Sequence, residues 1–354
     1  MKSRHTGNVA RFARNVPNPE ASGTVHAEIL LPYGQMSRGG DVVIEVRGEK
    51  VKLPDFFLIG AAKSGTTSLY HYLIQHPQIY LPREKEPFFF SFMERPPHWR
   101  DSDLKGSRGK NVVWRLKDYV KLFQNAKAGQ IIGEASTSYL YTYDCTIEHM
   151  ISIYGERYRD IKIMAILRNP IERAYSHYLY LTKMGWEALP FEDAIRQSVV
   201  EERIAQFKDY DYIGQGMYYA RIQSYLKEFS NVRIYLYDDL KDPVHMLKNM
   251  FDFLGVNPQV TIRTQFVVNP SGIPKTRFVV DVLFKFNRII RRIIPQRYSL
   301  RFITIRDSIL RTLLEKPPLS EGTRSRLIQV YRDDVLKLQR LLHRDLSHWL
   351  EVTR

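Results

Sequence analysis

The chain has 354 residues, of which 44% are hydrophobic and 26% charged, a composition typical of a globular protein with a large core. Lysine and arginine outnumber aspartate and glutamate by 53 to 38, and the net charge of +15 favours an anionic partner. The single cysteine, Cys145, excludes an intramolecular disulfide, and no Cys/His cluster has zinc-site spacing. No run approaches the ~18 apolar residues of a membrane-spanning helix.

The first 52 residues differ in pattern from the rest of the chain. We predict that 1–52 form an N-terminal extension, partly disordered, and that 53–354 form the main domain. Alternating runs at 25–31 and 41–46, separated by Gly39 and Gly40, predict a β-hairpin within this extension.

From residue 55 onward the hydrophobic pattern alternates between strands and helices. Strands are predicted near 55–60, 130–134, 161–167 and 232–237, and helices near 66–76, 116–124, 170–184, 190–200, 215–228 and 240–254. After about residue 277 the pattern is helical, with breaks at Pro295 and at Pro317 and Pro318. The alternation predicts an α/β fold: a P-loop-like three-layer αβα arrangement with a central, mostly parallel sheet and a helical C-terminal part.

Residues 54–69, PDFFLIGAAKSGTTSL, have the order strand, glycine-bounded loop and helix start. Unpaired N–H groups at a helix N-terminus attract phosphate or sulfate. Lys63 adds a positive charge, and nearby hydroxyls add neutral donors. We therefore predict an anion-binding loop formed by Lys63, Ser64, Gly65, Thr66, Thr67 and Ser68.

This loop departs from that of ordinary nucleotide-hydrolysing enzymes. The spacing of its two glycines fits the usual phosphate loop, but Thr66 occupies the lysine position and the lysine lies within the loop at Lys63. The predicted strand at 161–167 ends in Arg168, where a metal-binding aspartate is expected. The pattern indicates an anionic nucleotide bound without a metal ion, which argues against phosphoryl transfer. An atypical P-loop kinase or NTPase stays open as an alternative.

Three segments together resemble motifs of the PAPS-dependent sulfotransferase family. Residues 63–69 resemble the 5′-phosphosulfate loop of that family, and 168–178 resemble its 3′-phosphate motif. Residues 85–90, KEPFFF, are similar to the Lys-Glu-Pro-x-Phe-Phe segment of the heparan sulfate (carbohydrate) sulfotransferase type. The resemblance runs from about Pro54 to the C-terminus and implies a bacterial-like enzyme of the EC 2.8.2 type.

The resemblance implies transfer of a sulfuryl group from 3′-phosphoadenosine 5′-phosphosulfate (PAPS), with 3′-phosphoadenosine 5′-phosphate (PAP) as product and no metal. The acceptor would be a hydroxyl or amine of a saccharide, a glycoconjugate or another small molecule. In this in-line transfer Glu86 would be the general base, and Lys63 would stabilise the leaving phosphate. Other branches of the family use a histidine as the base, so His71, His76 and His98 are the alternatives to Glu86. The aromatic residues that follow Glu86 would partly desolvate it, and a surface ion pair with Arg83 or Lys85 is the alternative.

Further binding residues follow from the same resemblance. Arg168 and Ser176 would bind the 3′-phosphate, and Lys275 and Arg277, in a basic loop, would close over the nucleotide. The acceptor side would be lined by Arg83, Lys85, Glu134 and Ser136.

The partner and location follow from charge and composition. We predict no nucleic-acid partner, although a nonenzymatic protein that binds an anionic polymer is the remaining alternative on charge alone. Residues 1–20 lack the apolar core of a secretory signal, and together with the single cysteine this predicts a cytoplasmic protein. Residues 279–294 form a basic amphipathic stretch that would either pack on the core or touch an anionic membrane. The sequence leaves the oligomeric state and the choice between O- and N-sulfation open.

Overall fold

The computed structural model describes residues 43–46, 49–95, 112–204, 207–264, 272–275, 305 and 307–352. All of them belong to one compact unit, Met36–Arg354. The predicted strand at 25–31, the amphipathic stretch at 279–294, His98 and Arg277 lie outside the described residues.

A short hairpin precedes the main sheet. Strand β1 (Val43–Val46) pairs antiparallel with β2 (Glu49–Lys52), and Val46 lies opposite Glu49. The second predicted strand of the extension is therefore present, but among the described residues its partner is the segment that follows it along the chain.

Five parallel strands form the central sheet. They are β3 (Phe56–Leu58), β4 (Ile79–Tyr80), β5 (Ile131–Ala135), β6 (Lys162–Leu167) and β7 (Asn231–Leu236), in the spatial order β4-β5-β3-β6-β7. The four predicted strands are confirmed, and the predicted α/β fold with a parallel sheet is confirmed with them. β4 was not predicted, because a strand of two residues is too short to show an alternation of apolar and polar residues.

The helices lie between and after the strands. Within the described residues they include α1 (Thr66–Leu73), α2 (Phe89–Phe92), α3 (Leu116–Tyr119), α4 (Tyr143–Tyr154), α5 (Pro170–Met184), α6 (Phe191–Ala194), α7 (Gln197–Ile204), α8 (Tyr219–Glu228), α9 (Pro243–Leu254) and α10 (Glu321–Leu342). The predicted helix at 190–200 is instead two helices, because the backbone leaves the helical region at Ile195. Helix α4 was not predicted, although its apolar residues recur at helical spacing.

Side chains alternate between two apolar clusters on opposite faces of the sheet. Phe57 and Ile163 pack into one cluster with residues of α5, α8 and α10, whereas Phe56 and Met164 pack into the other with residues of α1 and α9. Successive strand residues point to opposite faces, so both faces of these central strands are covered by helices. This is the three-layer arrangement expected from the sequence.

A short antiparallel pair and a long helix are the main elements of the described residues after 272. β8 (Ile273–Pro274) pairs antiparallel with β9 (Leu314–Glu315), and β9 lies within the region after residue 277 that was predicted to be helical. Helix α10 starts after Pro317 and Pro318, as predicted, and Ser320 caps it by accepting a hydrogen bond from the Thr323 amide at 3.2 Å. No helix within the described part of the chain is both long and apolar enough to cross a membrane.

Candidate functional site

The loop between β3 and α1 leaves the sheet at its centre. The Ile59 and Ala61 amides still donate to carbonyls of β6, at 2.9 and 2.8 Å, so the start of the loop is fixed to the sheet. Gly65 then precedes α1 with φ of +93°, a conformation that favours glycine. Because Gly65 offers no side chain to cap α1, the first N–H groups of this helix suit an anion.

The predicted hydroxyl residues of this loop differ in exposure. Ser64, Thr66 and Ser68 are buried, and Thr67 is half-buried. Thr67 Oγ1 accepts a hydrogen bond from Lys85 Nζ at 3.3 Å. Thr67 therefore links the loop to the KEPFFF segment.

Arg168 brings the second motif to this loop. It follows the end of β6, and its Nη1 donates to the carbonyl oxygen of Lys63 at 3.1 Å. The guanidinium also lies over the ring of Tyr237, 4.7 Å from the centroid, and 3.9 Å from Glu172 Oε2. Two motifs separated by about a hundred residues thus meet at neighbouring strand ends, where parallel α/β sheets bind ligands.

Start and stop signals position the helix that follows Arg168. Asn169 caps α5 by accepting from the amides of Ile171 and Glu172 at 3.0 and 3.4 Å, and Gly185 ends it in the left-handed conformation. These signals explain why the predicted bounds of this helix are correct. Ser176 lies on the same helix and is 2% exposed.

The segment after α10 holds these strand-end loops from the other side. Asn169 Nδ2 donates to the carbonyl oxygen of Trp349 at 3.2 Å. Arg344 Nη2 bonds Asp239 Oδ1 at 2.9 Å, within the turn that carries Tyr237. The platform under Arg168 is thereby tied to the C-terminal part of the chain.

Lys63 lies close to several other positively charged side chains. Its backbone φ is +66°, and its Nζ lies 4.3 Å from the centroid of the Tyr180 ring. Burial lowers the pKa of Lys63 to about 7, and the charges of Lys183, Arg168 and Lys85 act in the same direction against the opposing charge of Glu86. An anion that enters beside this amine would raise its pKa again.

Glu86 is fixed beside the same loop. Its amide donates to the carbonyl oxygen of Ala135, the last residue of β5, at 3.0 Å. Its Oε1 accepts from Thr137 Oγ1 at 3.1 Å and from Lys85 Nζ at 3.2 Å. The structure therefore brings Lys63, Thr67, Lys85 and Glu86 together, and the ion pair with Lys85 is the alternative that the sequence left open.

The aromatic residues after Glu86 turn away from it. Phe89 stacks on Tyr119 at 4.2 Å between centroids, Phe90 packs against Phe57 at 5.6 Å, and both are fully buried. Phe89 and Phe90 therefore pack into the core, and 34% of the Glu86 side chain is exposed, so its partial desolvation by the aromatic segment stays a prediction.

Comparison with known proteins identifies the family. Residues 54–259 match the Sulfotransferase family. The chain belongs to this family. The resemblance and the assignment to the transferase enzymes are thereby confirmed.

Individual relatives of this sulfotransferase point to the same family. Carbohydrate sulfotransferase 15 of Rattus norvegicus is 28% identical over 42% of this chain and 30% of the relative. Heparan sulfate glucosamine 3-O-sulfotransferase 3B1 of Mus musculus is 25% identical over 63% of this chain and 51% of the relative. The chain thus spans about half or less of the curated relatives it matches. The crystal structure of a sulfotransferase from Alicyclobacillus acidocaldarius is 30% identical, covers 85% of this chain and all of that one, and has a TM-score of 0.59.

Two residues predicted on the acceptor side of the sulfotransferase lie below its surface. Glu134 and Ser136 are both fully buried. Glu134 Oε2 accepts hydrogen bonds from the hydroxyls of Tyr119 and Tyr139, each at 2.7 Å, and burial raises the pKa of Glu134 to about 7. Ser136 Oγ accepts from the Phe88 amide at 3.1 Å, so it supports the backbone that carries Glu86.

Two further predicted residues, Arg83 and Lys275, lie on the surface. Arg83 is exposed. Lys275 is exposed beyond β8, and its amide donates to the Leu313 carbonyl oxygen at 2.9 Å. No group of three or more His, Cys, Asp or Glu side chains in the described segments could hold a metal ion, and metal-free chemistry stays a prediction.

Sequence reasoning missed three residues of the sulfotransferase site. Tyr180 and Tyr237 place rings beside Lys63 and Arg168, and Lys183 is a buried cation close to Lys63. The tyrosines carry no sequence signal, because the chain has 22 of them. A lysine on a mostly apolar helix is a weak signal that could have been noticed.

Proposed function

We propose that this sulfotransferase moves a sulfuryl group from PAPS to a hydroxyl or amine of a saccharide or glycoconjugate. The observation that carries the proposal is the hydrogen bond from Arg168 to the Lys63 carbonyl, because it brings two cationic motifs together where one anionic ligand would contact both. The family match supports the reaction class, and the names of the carbohydrate and heparan sulfate relatives support the acceptor class.

The donor would be held at both of its anionic ends. Residues from Lys63 to Ser68, at the start of α1, suit the phosphosulfate group, because a helix N-terminus and an ammonium both attract anions. Arg168 and Ser176 suit the 3′-phosphate, since a guanidinium can bind a phosphate through two parallel hydrogen bonds. The excess of cations around Lys63 fits such a ligand. Lys275 and Arg277 stay proposals for closing the site.

The reaction would need one base and one stabilising cation. The bond between sulfur and the bridging phosphate oxygen breaks, a bond from sulfur to the acceptor oxygen or nitrogen forms, and Glu86 takes the acceptor proton. Thr137 and Lys85 hold the Glu86 carboxylate in place, and an oriented base contributes about 10²–10⁴-fold to the rate. Protonated Lys63 would offset the charge that develops on the leaving phosphate.

Arg83 and Lys85 would attract an acidic acceptor, whereas Glu134 and Ser136 would act from beneath by holding the segment around Glu86. The identity of the acceptor, the cytoplasmic location and the boundary of the main domain at residue 53 all stay predictions.

The proposal is tested with the full chain, radiolabelled PAPS and a panel of saccharide acceptors. We expect saturable PAP binding without magnesium, and losses of about 10²-fold or more in transfer for Lys63→Ala and Glu86→Gln with folding preserved.

Matched controls are available for both variants. Glu228→Gln alters a carboxylate that is also 34% exposed and also beside a lysine, and Lys121→Ala removes an exposed lysine paired with Asp118. Wild-type transfer rates in both Lys63→Ala and Glu86→Gln would overturn the assignment of the site. Magnesium-dependent ATP turnover, or tight salt-sensitive DNA binding without affinity for PAP, would overturn the function itself.

A further inference from the structure

Lys183 is a buried lysine without a role in the proposed mechanism. It lies in the last turn of α5, where a positive charge interacts favourably with the helix dipole. Lysines that serve only this purpose usually keep the ammonium in water, whereas Lys183 is 6% exposed. Burial of an ammonium group costs free energy that its contacts must offset, and the ring of Tyr180 provides one such contact.

Lys183 and Lys63 share one aromatic neighbour. The Nζ of Lys63 lies 4.3 Å from the centroid of the Tyr180 ring, and the Nζ of Lys183 lies 5.8 Å from the same centroid. The face of an aromatic ring attracts cations, so Tyr180 can hold two ammonium groups that would otherwise repel each other.

The charges that face Lys63 come from three elements. Lys183 belongs to α5, Arg168 follows β6, and Lys85 and Glu86 lie in the segment after β4. Three cations thus face Lys63 against one carboxylate. Among these charges Lys183 has the largest effect on Lys63, second only to burial, and it lowers the pKa of Lys63.

We propose, on the basis of the proposed function, that Lys183 is a positioning residue for sulfuryl transfer: it acts through Lys63, so that Lys63 takes up a proton as the anionic donor binds. Lys183 therefore sets the electrostatic environment of the pocket without touching the donor. Above neutral pH the ligand-free site therefore lacks most of the Lys63 charge, and Lys63 takes up a proton when the ligand binds.

The consequence is a proton uptake that calorimetry can measure. With a pKa of about 7, Lys63 is about one-tenth protonated at pH 8, and a bound anion raises its pKa. Binding of PAP to the wild-type protein at pH 8 should therefore take up nearly one proton. The slope of the observed binding enthalpy against the ionisation enthalpy of the buffer gives this number.

Substitutions of Lys183 separate its charge from its packing. Lys183→Met and Lys183→Gln remove the charge, and a rise of one pKa unit at Lys63 would reduce the uptake at pH 8 to about half a proton. Lys183→Arg keeps the charge and should keep the uptake. A purely structural Lys183 would change thermal stability in these variants and leave the uptake at the wild-type value, which would overturn the inference.

A direct titration of Lys63 by NMR of lysine-labelled protein covers the case in which the neutral variants fold poorly. The Lys63 signal is assigned by its loss in Lys63→Met. A titration near pH 7 in the wild type and in Lys183→Arg is expected, and a midpoint near 10 in either protein would refute the inference. PAP that binds without any proton uptake would contradict the role of Lys183 alone, whereas PAP that fails to bind would contradict the proposed function.

Discussion

The buried carboxylate of Glu134 makes the stability of the protein depend on pH. Burial raises its pKa from 4.5 to about 7, while the hydrogen bonds from Tyr119 and Tyr139 oppose this rise. Between these two pH values the folded protein keeps the proton that the unfolded chain has released. The free energy of unfolding must therefore fall as the pH rises from about 4.5 to about 7.

The size of the effect follows from the shift. Each pKa unit corresponds to about 1.4 kcal/mol, so the shift at Glu134 costs the folded protein about 3 kcal/mol at pH 8 relative to pH 4.5. Glu134→Gln does not titrate and should lose this dependence. The amide introduced by Glu134→Gln changes the free energy of unfolding by a nearly constant amount at every pH. The test is therefore the slope of the unfolding free energy against pH.

The assay is urea-induced unfolding of both proteins at a series of pH values from 5 to 8. The free energy of unfolding of Glu134→Gln relative to the wild type should increase by about 2–3 kcal/mol over this range. The control is Glu187→Gln. Burial opposes ionisation of Glu187 as well, but hydrogen bonds from Arg203 and Tyr212 hold its pKa below the ordinary value. This variant should cost stability evenly between pH 5 and 8. Parallel pH profiles for Glu134→Gln and the wild type would refute the reasoning.

Two further substitutions test the loops that meet at the site. Gly65→Ala should lower the free energy of unfolding by about 1–3 kcal/mol and weaken PAP binding, because φ is +93° and the new Cβ would lie 2.8 Å from Leu240 Cδ1. In thermal unfolding the loss of stability in Gly65→Ala should be larger than that in Gly129→Ala, whose new Cβ has no atom within 4 Å. An equal loss in both variants would argue against the close contact. Asn169→Ala removes the cap of α5 and should cost about 1 kcal/mol in urea unfolding together with weaker PAP binding, since Arg168 precedes the cap; unchanged binding would separate the cap from the site.

The central sheet was predictable because its buried strands are also the short apolar runs of the sequence. β6 is an apolar run bounded by a turn and by Arg168, and its length and composition suit a strand covered on both faces. Helix α5 carries a cap, a proline at its start and a glycine at its end, and its predicted bounds are correct. By contrast, β4 is two residues long, and only its hydrogen bonds with β5 define it.

The sequence predicted which motifs lie close together, but it did not predict which side chains contact each other there. Lys63, Arg168 and Glu86 each lie near the end of a parallel strand, and such ends share one edge of the sheet, so their proximity follows from topology. The burial of Glu134 and the ring shared by Lys63 and Lys183 depend on how side chains of distant elements pack. No local pattern encodes that packing.

The hydrogen bond between Arg168 and Lys63 joins the loops that follow two neighbouring strands, so ligand binding there depends on the correct pairing of those strands. Neither strand alone brings the two loops together, so a ligand that spans both loops would bind only when β3 and β6 lie side by side. By mass action such a ligand at a hundredfold excess over its Kd would add about 2.7 kcal/mol to the unfolding free energy. If a nucleotide slows hydrogen exchange of the amides in β3 and β6, the slower exchange would therefore indicate that the two strands are paired.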